Sequence, residues 1–597
     1  MNESPAKAKI RQLRERMKRE GFDAYVVPSA DPHQTEYPHP YWRSRAWLSG
    51  FTGSVGTVVV LQDKAGLWTD GRYFIQAERE LAGSGIDLFK MALPGVPELI
   101  DWLAGIMPEG GAVGVDGRLV PAAQAKAWRE KLGRKKQRLV CDVDLIEPLW
   151  QDRPLLPTAA AKLHDVRFTG RSATEKLAEI REAMRENNVD TYLISSLYDI
   201  AWLFNIRGDD SPYCPLLTAH AIVELDKAVL FTDERKTSDD LRAELIREGI
   251  EVAPYDTVSD ALAYLPPASS VYLCEERVSV RLRESIPIAC RIVSGKDFTD
   301  LPKARKNTVE LENWKRVHEL DGVAMVRFCK WLEEGLAVGE EISECDAAAR
   351  LEQFRRASPE CTGLSFSTIS AYGPNGAIIH YSPKPETCAM LGAKGFCLID
   401  SGGQYEGGTT DITRTIALGP LTDEERTDYT LVLKGMINIS SARFPKGAAG
   451  NHLDVLARQS LWAHGIDYRH GTGHGVGYYL NVHEGPQNIS PYRKSDTPLE
   501  PGMVVTIEPG VYKENRHGIR IENMVVVEGD METEFGSFFR FGTMTLCPID
   551  TKPLVLELLS QAEIQWLNVY HQMVRETLSP HLEKEEAAWL AAKTRPV

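Results

Sequence analysis

Residues 470–486 read HGTGHGVGYYLNVHEGP and combine three histidines with closely spaced glycines. His470 and His474 are four residues apart, the spacing at which an HExxH helix presents two ligands to zinc. The residues between them are Gly-Thr-Gly, and each glycine destabilises a helix by about 1 kcal/mol relative to alanine. The sequence therefore argues against a helical zinc-protease motif and favours a loop that presents single imidazoles.

Four carboxylates accompany this loop in apolar surroundings. Asp400 ends the apolar strand GFCLID and Asp411 lies in the next, TTDITRTIAL; Glu508 and Glu522 lie inside VVTIEPGVY and GIRIENMVV. A glycine-rich turn predicts a hairpin that brings the two aspartates to one face. One such residue alone could face solvent, but burying four is costly unless a cation neutralises them.

Four carboxylates and one imidazole make an oxygen-rich ligand set. It suits two divalent ions per chain, Mn²⁺ first, with Co²⁺ or Zn²⁺ as alternatives. Two ions about 3.5–4 Å apart can hold a bridging hydroxide as nucleophile and polarise a carbonyl group. The pattern therefore predicts hydrolysis.

The elements that must position these groups change along the chain. From about residue 365, short apolar strands alternate with glycine-rich corners, which predicts a curved antiparallel sheet around the carboxylates. From about residue 551, helical periodicity returns in LVLELLSQAEIQWLNVYHQMV. We interpret this last part as a helical extension.

The N-terminal half contains an internal repeat. Residues 9–29 align without gaps on 176–196, and residues 62–70 (QDKAGLWTD) align on 225–233 (LDKAVLFTD). Each copy predicts an amphipathic helix, a strand and a later hairpin. Two unrelated α/β segments would be the alternative, but we favour a duplicated α/β domain.

Proline-rich and capping sequences mark the boundaries. PLWQDRPLLP precedes Ser172-Ala-Thr-Glu175, a capping-box pattern, and Asn307-Thr-Val-Glu310 predicts the start of a long helix. The expected division is described by four ranges: a first α/β domain at 1–157, its repeat at 158–303, a catalytic domain at 304–597 and, within that domain, the extension at 535–597.

Composition limits the class of partner. The net charge of −15 disfavours nucleic acid and anionic membranes as partners, so a peptide or small molecule is the better expectation. Ten scattered cysteines predict reduced thiols. The chain shows neither an apolar signal segment nor a run of about 20 apolar residues, so we expect a cytoplasmic protein.

DSGGQYEGGTTDITRT, HGTGHGVGYYLNVHEGP, TIEPGVY and GIRIEN together resemble the aminopeptidase P (Xaa-Pro aminopeptidase) branch of the pita-bread metallopeptidases. WLSGFTGSVGT and LWTDGRYFIQAE resemble its long, three-domain cytosolic form. The resemblance covers nearly the whole chain. It implies two creatinase-like α/β domains before a pita-bread catalytic domain, removal of the residue that precedes a proline at position two of a peptide, and a homodimer.

The resemblance also implies roles for individual residues. It makes five residues the metal ligands, with Asp411 and Glu522 bridging: Asp400, Asp411, His474, Glu508 and Glu522. Glu508 would also move the proton of the attacking water. Six residues would contact substrate, and the first three would also take part in catalysis: His380, His470, His483, Arg72, Tyr512 and Arg520.

Two features qualify the resemblance. We take Glu234 as the counterpart of Arg72 in the second copy, and a surface ion pair is the plain alternative for Arg72. Glu406-Gly407 stands where the family commonly has Lys-Asp or Leu-Asp, a change at a hairpin tip that should leave Asp400 and Asp411 facing each other.

Two other functions compete with this prediction. A prolidase uses the same ligands but accepts only dipeptides; LNVHEGP, the duplicated domain and the extension favour the aminopeptidase. A non-catalytic binding module of the same fold typically lacks metal ligands, and creatine-type hydrolases of this fold work without metal. All five predicted ligands are present here.

Overall fold

The computed structural model describes residues 4–491 and 496–597. The chain divides into two compact units, Met1–Asp165 with Arg171–Thr299 and Val166–Gly170 with Asp300–Val597. None of the helices in the described ranges is both long and apolar enough to cross a lipid bilayer. All ten cysteines are free thiols.

Two six-stranded sheets, with helices around them, form most of the first unit in the part of the chain that the structure describes. The elements of residues 4–140 are β1 (Ala24–Pro28), β2 (Thr57–Leu61), β3 (Ala65–Thr69), β4 (Asp87–Lys90), β5 (Ala112–Val115) and β6 (Arg138–Val140), with α1 (Pro5–Glu20), α2 (Ser44–Ser49), α3 (Phe74–Glu80), α4 (Leu99–Ile106) and α5 (Ala122–Gly133). The strand order is β4-β3-β2-β1-β5-β6.

The next set of elements repeats this arrangement. Residues 162–294 contain β7 (Lys162–Leu163), β8 (Thr191–Ile194), β9 (Ile206–Arg207), β10 (Ala219–Glu224), β11 (Ala228–Thr232), β12 (Ile250–Pro254), β13 (Ser270–Leu273) and β14 (Arg291–Ser294), with α6 (Val166–Thr169), α7 (Ala173–Glu186), α8 (Leu197–Leu203), α9 (Asp239–Arg247), α10 (Val258–Ala263) and α11 (Val280–Ser285). The order β12-β11-β10-β8-β13-β14 matches the first sheet strand for strand.

The predicted duplication is therefore confirmed. Helices α1 and α7 each bury the apolar stripe read from the repeat, and β2–β3 and β10–β11 are the two antiparallel hairpins. The predicted capping box of α7 is present, with reciprocal bonds between Ser172 and Glu175.

The second unit is an antiparallel α+β structure. Besides α6, its α-helices in the described residues are α12 (Asp300–Ala304), α13 (Thr308–Ala337), α14 (Glu344–Arg356), α15 (Asp423–Ser440), α16 (Gly450–Trp462), α17 (Gln561–Leu578) and α18 (Lys584–Lys593). Its strands are β15 (Cys361–Leu364), β16 (Ile369–Tyr372), β17 (Phe396–Ser401), β18 (Gly403–Tyr405), β19 (Gly408–Thr409), β20 (Ile412–Ala417), β21 (Arg443–Pro445), β22 (Gly473–Gly475), β23 (Glu484–Ile489), β24 (Val504–Ile507), β25 (Gly510–Lys513), β26 (His517–Arg520), β27 (Asn523–Thr533) and β28 (Gly536–Thr543).

Two sheets of this unit carry most of the predicted site. The orders are β16-β17-β20 and β21-β28-β27-β24-β22-β23, with β25-β26 as a separate hairpin. A large apolar core joins the sheets to α15, α16 and α17. Helix α13 begins at Asn307 with the predicted capping box to Glu310.

The C-terminal part differs from the prediction in one respect. The segment 535–597 begins with β28, which pairs antiparallel with β27, and becomes helical only at α17. The apolar face of β28 contributes Phe539 and Phe541 to the core. A strand therefore anchors the extension, and the helices cover the same core.

Candidate metal centre

Three of the predicted ligands converge in the second unit. Asp411, His474 and Glu522 each offer a ligand atom, and these atoms lie within 4.8 Å of one another. The Nε2 atom of His474 is 3.4 Å from Oδ2 of Asp411. The Asp411 and Glu522 side chains are buried, so the cluster forms inside the sheet rather than on its surface.

The other two predicted ligands lie beside this cluster. Oε1 of Glu508 is 3.7 Å from Nε2 of His474. Asp400 lies on β17 opposite Thr413 of β20, and the Nη2 group of Arg520 donates to its Oδ2 at 2.5 Å. The charges of Glu508 and Asp400 both act on Glu522, so the two residues border the cluster of three.

Three carboxylates occupy breaks in the strands, which corrects the prediction that they lie within them. Asp411 precedes β20, Glu508 follows β24, and Glu522 lies between β26 and β27. The backbone N–H of Glu508 donates to Thr472 O at 2.7 Å, and that of Glu522 donates to Thr413 O at 3.1 Å. These bonds satisfy the backbone where it leaves one strand pair for another.

The glycines beside His474 permit a close approach of strands. A Cβ atom on Gly473 would lie 1.9 Å from Thr506 O, and one on Gly475 would lie 2.2 Å from Glu484 O. Both glycines belong to β22, which lies between β23 and β24 with a register shift after His474. The predicted loop is therefore a strand around His474, and only glycine fits beside it.

Burial and mutual repulsion dominate the electrostatics of the carboxylates. Burial raises the pKa of Glu508 to about 7, against the opposing charges of His474 and Arg520. Burial, and then the charge of Asp411, raises the pKa of Glu522 well above its ordinary value. Burial also raises the pKa of Asp400, which Arg520 opposes. The cluster therefore favours any added positive charge.

The donor set fits divalent cations. The Nδ1 group of His474 donates to Gly475 O at 3.0 Å, which leaves Nε2 directed at the carboxylate oxygens of Asp411 and Glu508, where it can hold a proton or a cation. Burial lowers the pKa of His474, but the hydrogen bond to Asp411 and the charge of Glu508 outweigh burial and raise it to about 9. In the described residues, the buried Oδ1 of Asp400 has no hydrogen-bond partner. A cation would displace the proton on Nε2 of His474 and give Oδ1 of Asp400 a partner.

A hydrogen-bonded chain extends from Asp400 to His470. Arg520 donates to Asp400 and, through Nη1, to the Tyr512 hydroxyl at 2.7 Å. The Nδ1 group of His470 donates to Gly471 O, so its Nε2 accepts from the Tyr512 hydroxyl at 2.9 Å. Two predicted substrate residues, Tyr512 and Arg520, thus hold a third in a defined tautomer.

The two remaining histidines of the prediction, His483 and His380, lie in different surroundings. The ring of His483 lies edge-on to His474, with 4.3 Å between the ring centroids. His380 is half-buried in the turn after the 3-10 helix Gly373–Ala377. That helix packs on β26, since a Cβ on Gly518 would lie 1.7 Å from Gly376 O.

Arg72 lies in the first unit, in the turn between β3 and α3. Its guanidinium donates to both carboxylate oxygens of Asp70, at 3.0 and 2.7 Å. Arg235 makes the same two-point contact with Asp233 in the second copy. The assignment of Glu234 as the counterpart of Arg72 was therefore wrong by one position, and the Asp-Arg contact belongs to the repeat itself.

Sequence reasoning missed Thr413. Its hydroxyl donates to Oε2 of Glu522 at 2.7 Å and accepts from Nε of Arg520 at 3.2 Å. The alternation of Asp411, Thr413 and Thr415 in TTDITRT predicts that all three side chains lie on the same face, and this signal could have identified Thr413.

Family comparisons agree with this architecture. Residues 312–529 match the family model "Metallopeptidase family M24", and residues 537–597 match "C-terminal region of peptidase_M24". Residues 9–147 and 152–310 each match "Creatinase/Prolidase N-terminal domain". The duplicated N-terminal domain and the catalytic domain predicted from the motifs are thereby confirmed.

Relatives match over almost the whole chain. "Aminopeptidase P2" of Arabidopsis thaliana is 41% identical, covering 97% of this chain and 86% of the relative. "Probable Xaa-Pro aminopeptidase P" of Coprinopsis cinerea is 40% identical, covering 98% and 97%. The solved structure of an X-prolyl aminopeptidase from Caenorhabditis elegans, described as a cytosolic enzyme with a di-nuclear active site, is 34% identical, covers 99% of this chain and 100% of its own, and superposes with a TM-score of 0.95. The chain belongs to the aminopeptidase P branch of metallopeptidase family M24.

Proposed function

We propose that this protein is a metal-dependent Xaa-Pro aminopeptidase, which hydrolyses the bond between the first residue of a peptide and a proline in second position. The observation that carries the proposal is the convergence of Asp411, His474 and Glu522 beside two further carboxylates, those of Asp400 and Glu508. The names of the full-length relatives supply the substrate class.

The five predicted ligands would hold two divalent ions. They are Asp400, Asp411, His474, Glu508 and Glu522, which would supply four carboxylates and one imidazole. When bound, such a pair makes water nucleophilic at neutral pH and polarises the scissile carbonyl group. We propose Mn²⁺ as the resident ion, because oxygen-rich sites suit it, with Co²⁺ or Zn²⁺ as alternatives.

The side chains around the ions perform the proton transfers. Glu508 would accept the proton of the attacking water and return it to the leaving proline nitrogen, a role that fits its place at the edge of the cluster, 3.7 Å from Nε2 of His474. His483, which lies against His474, or His380 would donate to the developing oxyanion. Arg520 pairs directly with Asp400 and favours its ionised form, against the burial that raises its pKa.

Recognition of proline would use the other end of the hydrogen-bonded chain. An Xaa-Pro bond is a tertiary amide without an N–H, so an enzyme that reads that N–H cannot accept it. His470 and Tyr512, already held to each other at 2.9 Å, would pack against the proline ring together with His380. Arg72 would add a substrate contact, on the strength of the family resemblance alone.

The deciding experiment combines metals and peptides. Metal-depleted protein is given Mn²⁺, Co²⁺ or Zn²⁺ and assayed by mass spectrometry on Xaa-Pro-Pro, Xaa-Pro and Xaa-Ala peptides that share their first residue. Release of the first residue from Xaa-Pro-Pro, and little from Xaa-Ala, supports the proposal. Cleavage restricted to the dipeptide would identify a prolidase instead, and a protein that neither binds nor responds to metal would be a binding module.

Three broader proposals accompany this function. We propose a cytoplasmic location, which the free thiols and the description of the C. elegans enzyme support. The homodimer is proposed from the family resemblance, and sedimentation of the full chain tests it. We also propose the domain bounds 1–157, 158–303 and 304–597; the last boundary falls at the end of α12.

A further inference from the structure

Helix α16 contains a buried ion pair that the proposed mechanism does not use. Asp454 and Arg458 lie one turn apart, and their side chains are 3% and 1% exposed. The Nε group of Arg458 donates to Oδ2 of Asp454 at 2.7 Å. Both charges are therefore compensated inside the protein, and the remaining contacts of the pair decide its role.

Arg458 uses every donor of its guanidinium, which has five N–H groups in a fixed plane. Besides two bonds to Asp454, it donates to the backbone oxygens of Tyr468 and His470 at 2.7 Å each and to Asp467 at 2.8 Å. Its guanidinium also lies 3.8 Å from the centre of the Tyr468 ring. One side chain thus fixes two alternate carbonyl groups in the segment that carries His470.

Asp454 extends this contact toward Glu508. The hydroxyl of Thr472 donates to Oδ1 of Asp454 at 2.6 Å, so it accepts the hydroxyl proton of Tyr468 at 2.5 Å. Thr472 is fully buried, and its backbone oxygen accepts the N–H of Glu508 at 2.7 Å. A continuous path of bonds therefore links α16 to the residue proposed to move the proton.

We propose that Asp454 and Arg458 are positioning residues for the active site: the ion pair clamps residues 468–472 and so sets the His470 imidazole and the backbone of Glu508. Residues 466–472 are irregular, and strand pairing begins only at β22. In this segment, hydrogen bonds from side chains of α16 take the place of the backbone hydrogen bonds of a strand pair. The catalytic part of this inference rests on the proposed peptidase function.

The test begins with substitutions that change single bonds. Thr472→Val removes the hydroxyl that joins Asp454 to Tyr468 and keeps the shape, whereas Thr472→Ser keeps the hydroxyl. Arg458→Lys keeps the charge but has only three donors on a single atom, so it cannot hold both carbonyl groups. We expect Thr472→Val and Arg458→Lys to lower kcat/KM by about 10- to 100-fold, because a displacement of about 1 Å can cost that much. Thr472→Ser should recover most of the activity.

A second readout does not depend on peptidase activity. Hydrogen exchange of residues 468–474, measured by mass spectrometry on the full chain, should be faster in Thr472→Val and Arg458→Lys than in the wild type. The matched control is Lys236→Met, which breaks a comparably buried ion pair with Asp210 (2.6 Å) in the first unit. It should lower the melting temperature without changing exchange in residues 468–474 or kcat.

The outcomes separate this inference from the proposed function. Wild-type exchange in both variants, or faster exchange with unchanged kcat/KM in an active enzyme, would overturn the positioning role. Equal loss of activity in Thr472→Ser and Thr472→Val would also overturn it, since the hydroxyl would then be irrelevant. If the wild type cleaves no peptide at all, the proposed function fails, while the exchange measurement still decides whether α16 clamps the segment.

Discussion

Thr413→Val should weaken metal binding by about 10- to 150-fold while preserving the fold. The buried hydroxyl donates to the Glu522 carboxylate at 2.7 Å, and a bond to a charged group is worth about 1.5–3 kcal/mol. At about 1.4 kcal/mol per tenfold change, this range gives the stated loss. The loss also agrees with the 10- to 100-fold effect typical of residues that hydrogen-bond a metal ligand.

The assay is calorimetric titration of Mn²⁺ into metal-depleted protein, with the metal dependence of peptide cleavage measured beside it. Thr413→Ser retains the hydroxyl and should bind Mn²⁺ nearly as the wild type does. Thr430→Val is the control, because Thr430 is equally buried but donates to Arg426 O in α15. Wild-type Mn²⁺ affinity in Thr413→Val, or equal losses in the valine and serine variants, would show that the Thr413 hydroxyl does not support metal binding.

Three further predictions concern other parts of the chain. Glu508→Gln should lower kcat by about 10²- to 10⁴-fold with an unchanged circular dichroism spectrum, whereas the exposed control Glu514→Gln should be fully active; near-normal turnover of the first variant would contradict the assignment. Arg72→Ala should raise KM for Xaa-Pro-Pro and leave kcat unchanged, while Arg235→Ala, its counterpart in the repeat, should change neither; equal KM values for both variants would remove Arg72 from the substrate site. Burial, and then the charge of Arg414, lowers the pKa of His571 to about 4, so His571 is protonated below about pH 6.5 in the unfolded chain but only below about pH 4 in the folded chain. The free energy of unfolding should therefore fall by up to about 3 kcal/mol as the pH falls from 6.5 to 4. The melting temperature of His571→Gln should fall less between pH 7 and pH 5 than that of the wild type.

Local patterns predicted the parts of the fold that depend on local physics. The capping boxes at Ser172 and Asn307 and the turn between β2 and β3 follow from short-range hydrogen bonding, and the structure contains each of them. The repeat could be recognised because both copies keep the same apolar stripe. These features need no knowledge of distant contacts.

The sequence predicted which residues form the site, but it did not predict the local backbone structure in which they lie. Apolar flanks suggested that Glu508 and Glu522 lie within strands, but alternation does not reveal where a chain leaves one sheet for another, and both residues occupy such breaks. The sequence did not predict the roles of Thr413 and Arg458, because these roles depend on hydrogen bonds to residues 109 and 12 positions away along the chain. Contacts between residues distant along the chain are therefore what the sequence did not predict.

The most direct test of the central claim is the number of metal ions bound by the wild type and by Glu522→Gln, measured together with cleavage of an Xaa-Pro-Pro peptide. We expect two Mn²⁺ ions per wild-type chain, activity that rises with their binding, and loss of both binding and activity when Glu522 is replaced. Cleavage by fully metal-depleted protein, or two tightly bound ions in an inactive or active Glu522→Gln variant, would contradict it.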